Sequence, residues 1–364
     1  MKVNPSFLPG LNGLRAIAAL SIVVAHLSLN AIADFGLTNI VHLPMAGFGV
    51  TLFFVISGFL ITFLLLKEIV IKNNIDIKNF YIRRILRIWP LYYLFMIICI
   101  ITLILLGKSQ EIITKDIWFY LFFAANIPFI FQQGILIFLH YWSIGVEEQF
   151  YLFWPWLVLI SKNNLLKIAI LIFILFFLIK IVFWWQFGTS SYEYRLLSVT
   201  RFHCMMIGAI GAILYSKKQN KFDYLFSNRI VQVFSWLLFI LMEFNIIYIP
   251  AVIAQEVISV TSLSLILGQI TLNKKIVNLE NVFFDFIGKI SYGIYIIHPL
   301  IILLFSNYFK EMDLDINLKY VLYFFSVITF TIFLAWLSYT YFEKPFLKLK
   351  LKYSVIQSSN SMIS

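Results

Sequence analysis

Long runs of apolar residues recur along the whole chain, and short polar breaks separate them. A transmembrane helix needs about 20 predominantly apolar residues to cross the hydrocarbon core of a bilayer. The pattern therefore predicts an all-α polytopic membrane protein with about ten transmembrane helices. The predicted helices cover residues 12–30, 47–66, 88–107, 141–160, 165–186, 200–216, 230–248, 252–272, 290–306 and 318–342.

One further apolar stretch, residues 117–139, is interrupted by Pro128 and Gly134. Irregular backbone at membrane depth is tolerated only where protein or a water-filled cavity covers it. We therefore predict that 117–139 is an interfacial or re-entrant segment that does not cross the bilayer.

Composition and charge sharpen this topology. Only 12% of the residues are charged, against roughly 25% in soluble domains. With the N-terminus inside, 21 of the 28 Lys and Arg residues fall on inner segments, six on outer segments and Lys180 within a helix. Cytoplasmic loops carry such an excess of basic residues, so we predict that both termini are cytoplasmic. The net charge of +11 is then a topology signal and does not indicate nucleic-acid binding, which would need a basic face on a water-exposed domain.

Polar side chains within the apolar helices are the candidates for chemistry, because they are expensive in lipid. Arg15 and His26 are separated by ten residues that include no charge. Eleven positions return almost to the same helix face, roughly 16 Å further along the axis. We predict that Arg15 lies near the cytoplasmic surface and His26 toward the outer leaflet, where imidazole could act as a general base. A structural hydrogen bond is the alternative role for His26.

Three arginines precede the third predicted helix, at Arg83, Arg84 and Arg87. Basic clusters at a membrane surface commonly set orientation and contact lipid head groups. Arg84 and Arg87 also share a helix face by their i,i+3 spacing, and the planar guanidinium fork recognises phosphate. A phosphate-binding cluster is therefore the sharper of the two interpretations.

Two acids, Glu147 and Glu148, enter the fourth predicted helix at its outer end. Acidic residues favour helix N-termini, and this structural role suits Glu148. Ser143, Glu147 and Tyr151 share one face by i,i+4 spacing, which favours a functional role for Glu147. We predict that both acids lie at the membrane depth of His26.

Weaker signals come from Ser57-Gly58 and from His298, which precedes Pro299. Small residues at mid-membrane let helices pack closely, and packing is the favoured role at both places. Glu243 and Glu256 could line an acceptor pocket, but no residue in the sequence pairs with either.

The ordered set of motifs resembles the membrane acyltransferase-3 family. The motifs are LPGLNGLRAIAALSIVVAHL, FFVISGFLIT, FYIRRILRIWPLYY, HYWSIGVEEQFYLFWP, ISYGIYIIHP and YFEKP. The resemblance covers residues 8 to 345, so we expect an acyltransferase-like membrane domain over 1–345 and a basic, polar cytoplasmic tail over 346–364. It implies acyl-CoA-dependent O-acylation, mostly of envelope or extracellular sugars, in the bacterial cytoplasmic (inner) membrane.

The resemblance also implies roles for individual residues. Arg15 and His26 would be the pair on which activity depends, and Glu147 joins them as a catalytic candidate that orients the imidazole or binds the acceptor. Arg84 and Arg87 would correspond to the basic motif that meets the acyl donor, and with the adjacent Arg83 they are the candidates for acyl-CoA binding. The candidates for the acceptor or its pocket are Ser57, Ser143, Glu148, Tyr151 and His298. No metal and no bound cofactor is expected; the partners would be acyl-CoA as donor substrate, a glycan or lipid-linked sugar as acceptor, and membrane lipid.

Two other function classes stay open. A secondary transporter or flippase of an envelope precursor would also have about ten helices with intramembrane His and Glu, but it usually shows internal two-fold repetition, and none is visible. A non-catalytic membrane scaffold would not need Arg15, His26 and Glu147 on directed faces. Acetyl transfer by the purified protein would separate the three classes.

Overall fold

The chain folds into a helical bundle, seen in a computed structural model that describes residues 8–36, 45–108, 110, 116–161, 164–217, 222, 225–226, 228–272 and 275–355. These residues contain no strand. The helices are α1 Leu11–Phe35, α2 Met45–Lys72, α3 Ile77–Leu105, α4 Ile117–Leu121, α5 Asn126–Ile130, α6 Tyr141–Ser161, α7 Leu165–Phe187, α8 Tyr192–Thr200, α9 Phe202–Ser216, α10 Arg229–Glu243, α11 Ala251–Thr271, α12 Val282–Lys310, α13 Ile316–Leu337 and α14 Lys344–Leu351.

All ten predicted membrane helices have a counterpart, and the predicted all-α polytopic fold is confirmed. Within the described residues, eight helical stretches are long and apolar enough to cross a membrane. The two remaining counterparts are α6, whose Glu147, Glu148 and Gln149 lower its mean hydropathy, and α10. The 15 residues of α10 span roughly 22 Å, which is less than the hydrocarbon thickness of about 30 Å. The orientation of the termini stays a prediction from the distribution of Lys and Arg.

Two helices begin earlier than predicted. The carboxylate of Asp76 accepts a hydrogen bond from the backbone N–H of Asn79 and caps α3, so α3 begins at Ile77 and not at residue 88. Asn281 caps α12 in the same way through Phe284, and this helix begins at Val282 and not at residue 290. In both cases the predicted boundary was wrong because charged residues in the first turns were assigned to the preceding loop.

The interrupted segment 117–139 forms α4, α5 and a short 3₁₀-helix at Leu136–Phe138. None of these pieces is long enough to cross a bilayer, which agrees with the prediction. Protein side chains satisfy its irregular backbone: Tyr92 donates to the Tyr120 carbonyl at 2.6 Å, and the Gln149 amide donates to the Phe123 carbonyl at 3.1 Å.

The centre of the bundle is formed by α1, which packs against α2 and α12, while α2 also packs against α9. Glycines permit the last contact. A Cβ atom at Gly58 would overlap the Met205 carbonyl, and one at Gly208 would overlap the Val55 carbonyl. The predicted packing role of Gly58 is therefore confirmed, and this close approach brings the neighbouring Ser57 to the centre of the bundle.

The C-terminal helices continue one another. A π-helix at Ser338–Glu343 joins α13 to α14, and α14 packs against α3. Residues 346–351 of the predicted polar tail are thus helical and in contact with the bundle, and Lys350 is buried. The boundary at 345/346 stays a prediction, and residues 356–364 lie outside the described residues.

Candidate active site

A cavity of about 100 Å³ lies between α1, α2, α3, α6 and α12. It collects polar side chains from all five helices, although its remaining wall is apolar. Its polar lining residues, the tyrosines included, are Arg15, Ser57, Arg84, Arg87, Ser143, Glu147, Tyr151, Ser291, Tyr292 and Tyr295. Seven of the eleven predicted site residues, Arg87 among them, therefore line this one cavity.

Three guanidinium groups make this cavity cationic. Arg15 is only 7% exposed and donates to the Asn12 side-chain oxygen at 3.1 Å. The Arg84 guanidinium lies over the rings of Phe80 and Tyr151, at 5.7 and 5.8 Å from their centroids. Its buried Nε has no hydrogen-bond partner among the described residues. Among the described residues, Glu147 is the one carboxylate that lines the cavity with the three arginines. The cavity therefore suits an anionic ligand.

Arg83 does not reach the cavity. Its guanidinium forms an ion pair with Glu68 at 3.0 Å and donates to the Tyr353 carbonyl at 2.8 Å. Neighbouring residues on a helix point about 100° apart, so once α3 extends back to Ile77, Arg83 and Arg84 face different sides. Arg83 therefore lies apart from Arg84 and Arg87, with which we grouped it as a candidate for acyl-CoA binding.

Glu147 lies on the arginine side of the site. Its carboxylate accepts hydrogen bonds from Ser57 at 2.7 Å and from Tyr151 at 3.2 Å. Of the two roles predicted for Glu147, orienting the imidazole has no contact behind it among the described residues, because the hydrogen-bond partner of His26 is His298. Binding of the acceptor by Glu147 stays a prediction. Ser143, one turn earlier on α6, is the residue of that helix face that approaches the histidines.

Glu148 points to the other side of α6. It accepts a hydrogen bond from the Trp89 indole at 3.2 Å and does not line the cavity among the described residues. Its other carboxylate oxygen is buried and has no hydrogen-bond partner among the described residues. Glu148 therefore contacts α3 and lies apart from the arginine-lined cavity. Its assignment to the acceptor pocket stays a prediction.

His26 and His298 form a hydrogen-bonded pair. Nδ1 of His26 lies 2.8 Å from Nε2 of His298, and Nδ1 of His298 lies 3.1 Å from the Ile294 carbonyl. A carbonyl can only accept, so Nδ1 of His298 carries a proton and its Nε2 accepts from Nδ1–H of His26. This chain of bonds leaves Nε2 of His26 with a lone pair, as a general base requires. His298 is fully buried, whereas His26 is half-buried.

Ser143 and Tyr295 form the wall between the cavity and the histidines. Their hydroxyl groups share a hydrogen bond of 2.6 Å, and both residues line the cavity. The Tyr295 ring also lies near the rings of His140 and His298, at centroid distances of 5.6 and 5.9 Å. Sequence reasoning missed Tyr295, although its i,i+3 spacing to His298 places both on one face of α12.

His140 is a third histidine in this group. It is buried, its ring lies 5.6 Å from that of His298, and its Nε2 has no partner among the described residues. The described residues contain no group of three or more His, Cys, Asp or Glu side chains arranged to hold a metal ion.

The other intramembrane acids are paired elsewhere. The Lys180 ammonium donates to both oxygens of Glu256 at 2.9 and 3.0 Å, and Glu243 accepts from Ser21 at 2.5 Å. Neither acid lines the cavity among the described residues. The pairing of Glu256 with Lys180 was invisible in the sequence because 76 positions separate the two residues.

Comparisons with known proteins agree with the resemblance in the motifs. The sequence model of the acyltransferase-3 family, described as an acyltransferase domain, matches residues 8–340. "Putative O-acetyltransferase SACOL0978" of Staphylococcus aureus (strain COL) is 30% identical over 94% of this chain and 58% of its own length. "O-acetyltransferase OatA" of Staphylococcus aureus (strain NCTC 8325 / PS 47) is 27% identical over 95% of this chain and 58% of its own length. The chain thus spans 58% of the length of these curated relatives. No solved structure matches it.

Proposed function

The chain belongs to the acyltransferase-3 family, and we propose that it is a membrane O-acyltransferase that moves an acetyl group from cytoplasmic acetyl-CoA to a sugar hydroxyl. The acceptor would be a cell-envelope or exported glycan or a lipid-linked sugar, and the location would be the bacterial cytoplasmic membrane. The observation that carries the proposal is the His26–His298 pair, separated by one wall from a cavity with three arginines.

The charge of the cavity supports an acyl-CoA donor. Arg15, Arg84 and Arg87 outnumber Glu147, and a buried excess of cations is unfavourable unless an anion compensates it. Coenzyme A carries several phosphate groups, for which the guanidinium fork is well suited. The predicted topology places these three arginines on the cytoplasmic side, which carries the excess of Lys and Arg. This position favours entry of the donor from the cytoplasm.

The histidine pair supports the chemical step. A sugar hydroxyl is a poor nucleophile at neutral pH, so its attack on a thioester needs a base within hydrogen-bond reach. The free lone pair on Nε2 of His26 supplies that base, and His298 holds the ring in the required tautomer. Glu147, with its two hydroxyl donors, is assigned to shaping the donor cavity.

In the proposed direct route, the acceptor oxygen attacks the carbonyl carbon of the thioester while its proton moves to Nε2 of His26. The new O–C bond forms as the C–S bond breaks. The coenzyme A thiolate leaves and takes the proton from the imidazolium. A two-step route is the alternative, in which Nε2 of His26 is acetylated first and then passes the group to the acceptor.

The names of the two relatives support acetyl as the transferred group. The test uses the full chain, purified and reconstituted in lipid nanodiscs, with radiolabelled acetyl-CoA and a panel of sugar acceptors. We expect acceptor-dependent formation of a labelled ester, with one coenzyme A thiol released for each ester formed. Vesicle uptake of a sugar precursor with no ester formed from any donor would instead favour the transporter alternative.

A further inference from the structure

A second, smaller cavity of about 30 Å³ adjoins the first between α3, α12, the π-helix and α14. The two cavities have Arg87 and Tyr292 in common as lining residues. The lining residues of the second cavity are Arg87, Lys289, Tyr292, Tyr339, Glu343, Leu347 and Lys350. Three cations therefore meet one carboxylate at this place, within the part of the chain that the structure describes.

Lys350 is the unusual member of this set. The residue is only 8% exposed, and its ammonium forms no hydrogen bond or ion pair with any described residue. The charges that act on it most strongly are repulsive and come from four guanidinium groups. These belong to Arg15, Arg83, Arg84 and Arg87. Burying an unpaired cation among other cations is unfavourable in free energy. Binding of an anion beside Lys350 would compensate this charge.

The other charges do not compensate Lys350. Glu343 accepts a hydrogen bond from Ser338 at 3.2 Å and is one acid against three cations in the lining. Lys289 is paired with Asp285 at 2.7 Å, one turn earlier on its own helix, and Arg83 is paired with Glu68. Arg87 and Lys350 thus remain as the two lining cations without an acid partner among the described residues.

The C-terminal helix sets the position of Lys350. The π-helix Ser338–Glu343 directs both Glu343 and the following α14 onto the cavity, and π-helical turns are frequent at functional sites. On α14, Lys350 points inward, whereas Lys348 is exposed, because two positions correspond to about 200° around a helix.

We propose that the second cavity is a phosphate subsite, in which Lys350 and Arg87 hold a phosphate group of the acyl-CoA donor. This proposal rests on the proposed function and adds a residue of the C-terminal helix to the donor site. On α12, Lys289 precedes His298 by nine residues, which is roughly 14 Å along the helix axis. The extended pantetheine arm of coenzyme A can bridge such a distance, with its thioester near the histidines and its phosphates near Lys350.

The phosphate could in principle come from an anionic lipid head group, and the choice of donor distinguishes the two sources. The experiment compares wild type, Lys350→Gln and the matched control Lys348→Gln as full-length protein in nanodiscs. Acetyl-CoA is the first donor, and S-acetyl-N-acetylcysteamine, an acetyl thioester without phosphate, is the second. Lys350→Arg keeps the charge and serves as a second variant if Lys350→Gln does not fold.

We expect Lys350→Gln to raise the KM for acetyl-CoA about tenfold or more, since a charge-assisted hydrogen bond is lost. The ratio of variant to wild-type kcat/KM should return to near one with the phosphate-free donor. Lys348→Gln should match wild type, and Lys350→Arg should keep most of the donor affinity. An equal loss with both donors, or a loss that depends only on the phosphatidylglycerol content of the nanodisc, would overturn the proposal, as would an unchanged KM.

A binding measurement separates this subsite from the proposed function. Adenosine 3′,5′-bisphosphate carries phosphates but no thioester, and it should raise the unfolding temperature of wild type but not that of Lys350→Gln. If this difference is found while no thioester donates an acetyl group, the phosphate subsite stands and the transferase proposal fails. If acetyl transfer proceeds and the nucleotide stabilises both proteins equally, the subsite is refuted and the transferase proposal stands.

Discussion

Nδ1 of His26 and Nε2 of His298 lie 2.8 Å apart, and the Ile294 carbonyl behind His298 fixes which of the two nitrogens donates. Because the Ile294 carbonyl accepts a hydrogen bond from Nδ1–H of His298, the proton between the two neutral rings is the one on Nδ1 of His26. In the proposed mechanism, His298 would orient and polarise His26 through this hydrogen bond, as a third group orients the base in other acyl-transfer sites.

The first prediction concerns this orienting role of His298. The amide oxygen of Gln can replace Nε2 as acceptor, whereas the shorter Asn cannot reach His26. We expect His298→Gln to retain more activity than His298→Asn or His298→Phe. The two latter variants should lose about 10- to 100-fold in kcat, the range seen when a group that orients a metal-bound histidine is removed. The KM for acetyl-CoA should stay the same, because the arginines are untouched.

The buried His203 offers a control for the loss of any buried imidazole. It lies outside the site, with its Nε2 3.2 Å from Glu256. Replacing it by Gln should leave kcat near the wild-type value. Equal activity of the Gln, Asn and Phe variants of His298 would contradict the orienting role and leave His298 as a packing residue.

The second prediction concerns His26 itself. His26→Ala removes the base and should lower kcat about 10²- to 10⁴-fold, while binding of acetyl-CoA stays largely intact. His26→Gln should fail as well, since its amide forms a hydrogen bond but cannot accept the proton. Rapid quenching of wild type with labelled acetyl-CoA and no acceptor then separates the routes: a covalent label that is lost in His26→Gln supports the acetyl-His26 intermediate. Near-native turnover of His26→Gln would exclude both routes.

Helical periodicity predicted much of this site, because residues on one face need only the spacing within one helix. Arg84 and Arg87 both line the cavity, and Ser143, Glu147 and Tyr151 stay together on their face of α6. The pairing of His26 with His298 could not be read in this way, because the residues lie 272 positions apart and the contact depends on how α1 packs on α12.

Errors in the predicted site follow from the helix starts and from the register between helices. Arg83 was grouped with Arg84 because α3 was predicted to begin at residue 88; its true start at Ile77 fixes the phase that turns Arg83 toward Glu68. Glu147 was placed at the depth of His26 because both lie in predicted outer halves. In the structure Glu147 lines the cavity with the arginines, whereas His26 pairs with His298. Which side chains meet depends on the packing between helices, and a sequence pattern does not reveal it.

The third prediction concerns topology. Cysteines introduced at exposed positions 74 and 348 should react with an impermeant thiol reagent only after the membrane is opened, whereas one at exposed position 313 should react in intact cells. The native Cys99 and Cys204 are both buried, so their background should be low. Labelling of position 348 in intact cells would contradict a cytoplasmic C-terminal helix and, with it, entry of acyl-CoA beside α14.

The fourth prediction concerns the arginines of α3. Replacing Arg84 and Arg87 together by Ala should raise the KM for acetyl-CoA, because both guanidinium groups line the cavity. Lys at both positions should restore donor binding only in part, since an ammonium acts as a point charge and lacks the planar fork. Arg229, exposed at the start of α10, is the control, and its replacement by Ala should change neither KM nor kcat.

Arg83→Ala supplies the contrast that makes the fourth prediction decisive. Glu68 is 2% exposed and would lose its ion-pair partner, so the unfolding free energy should fall by about 3 kcal/mol, as for other broken buried pairs. Protein that remains folded should keep the wild-type KM for acetyl-CoA, because Arg83 points away from the cavity. If Arg83→Ala raised this KM as much as the Arg84 and Arg87 double variant, donor binding would follow the total charge of the segment and not the cavity-facing side of α3.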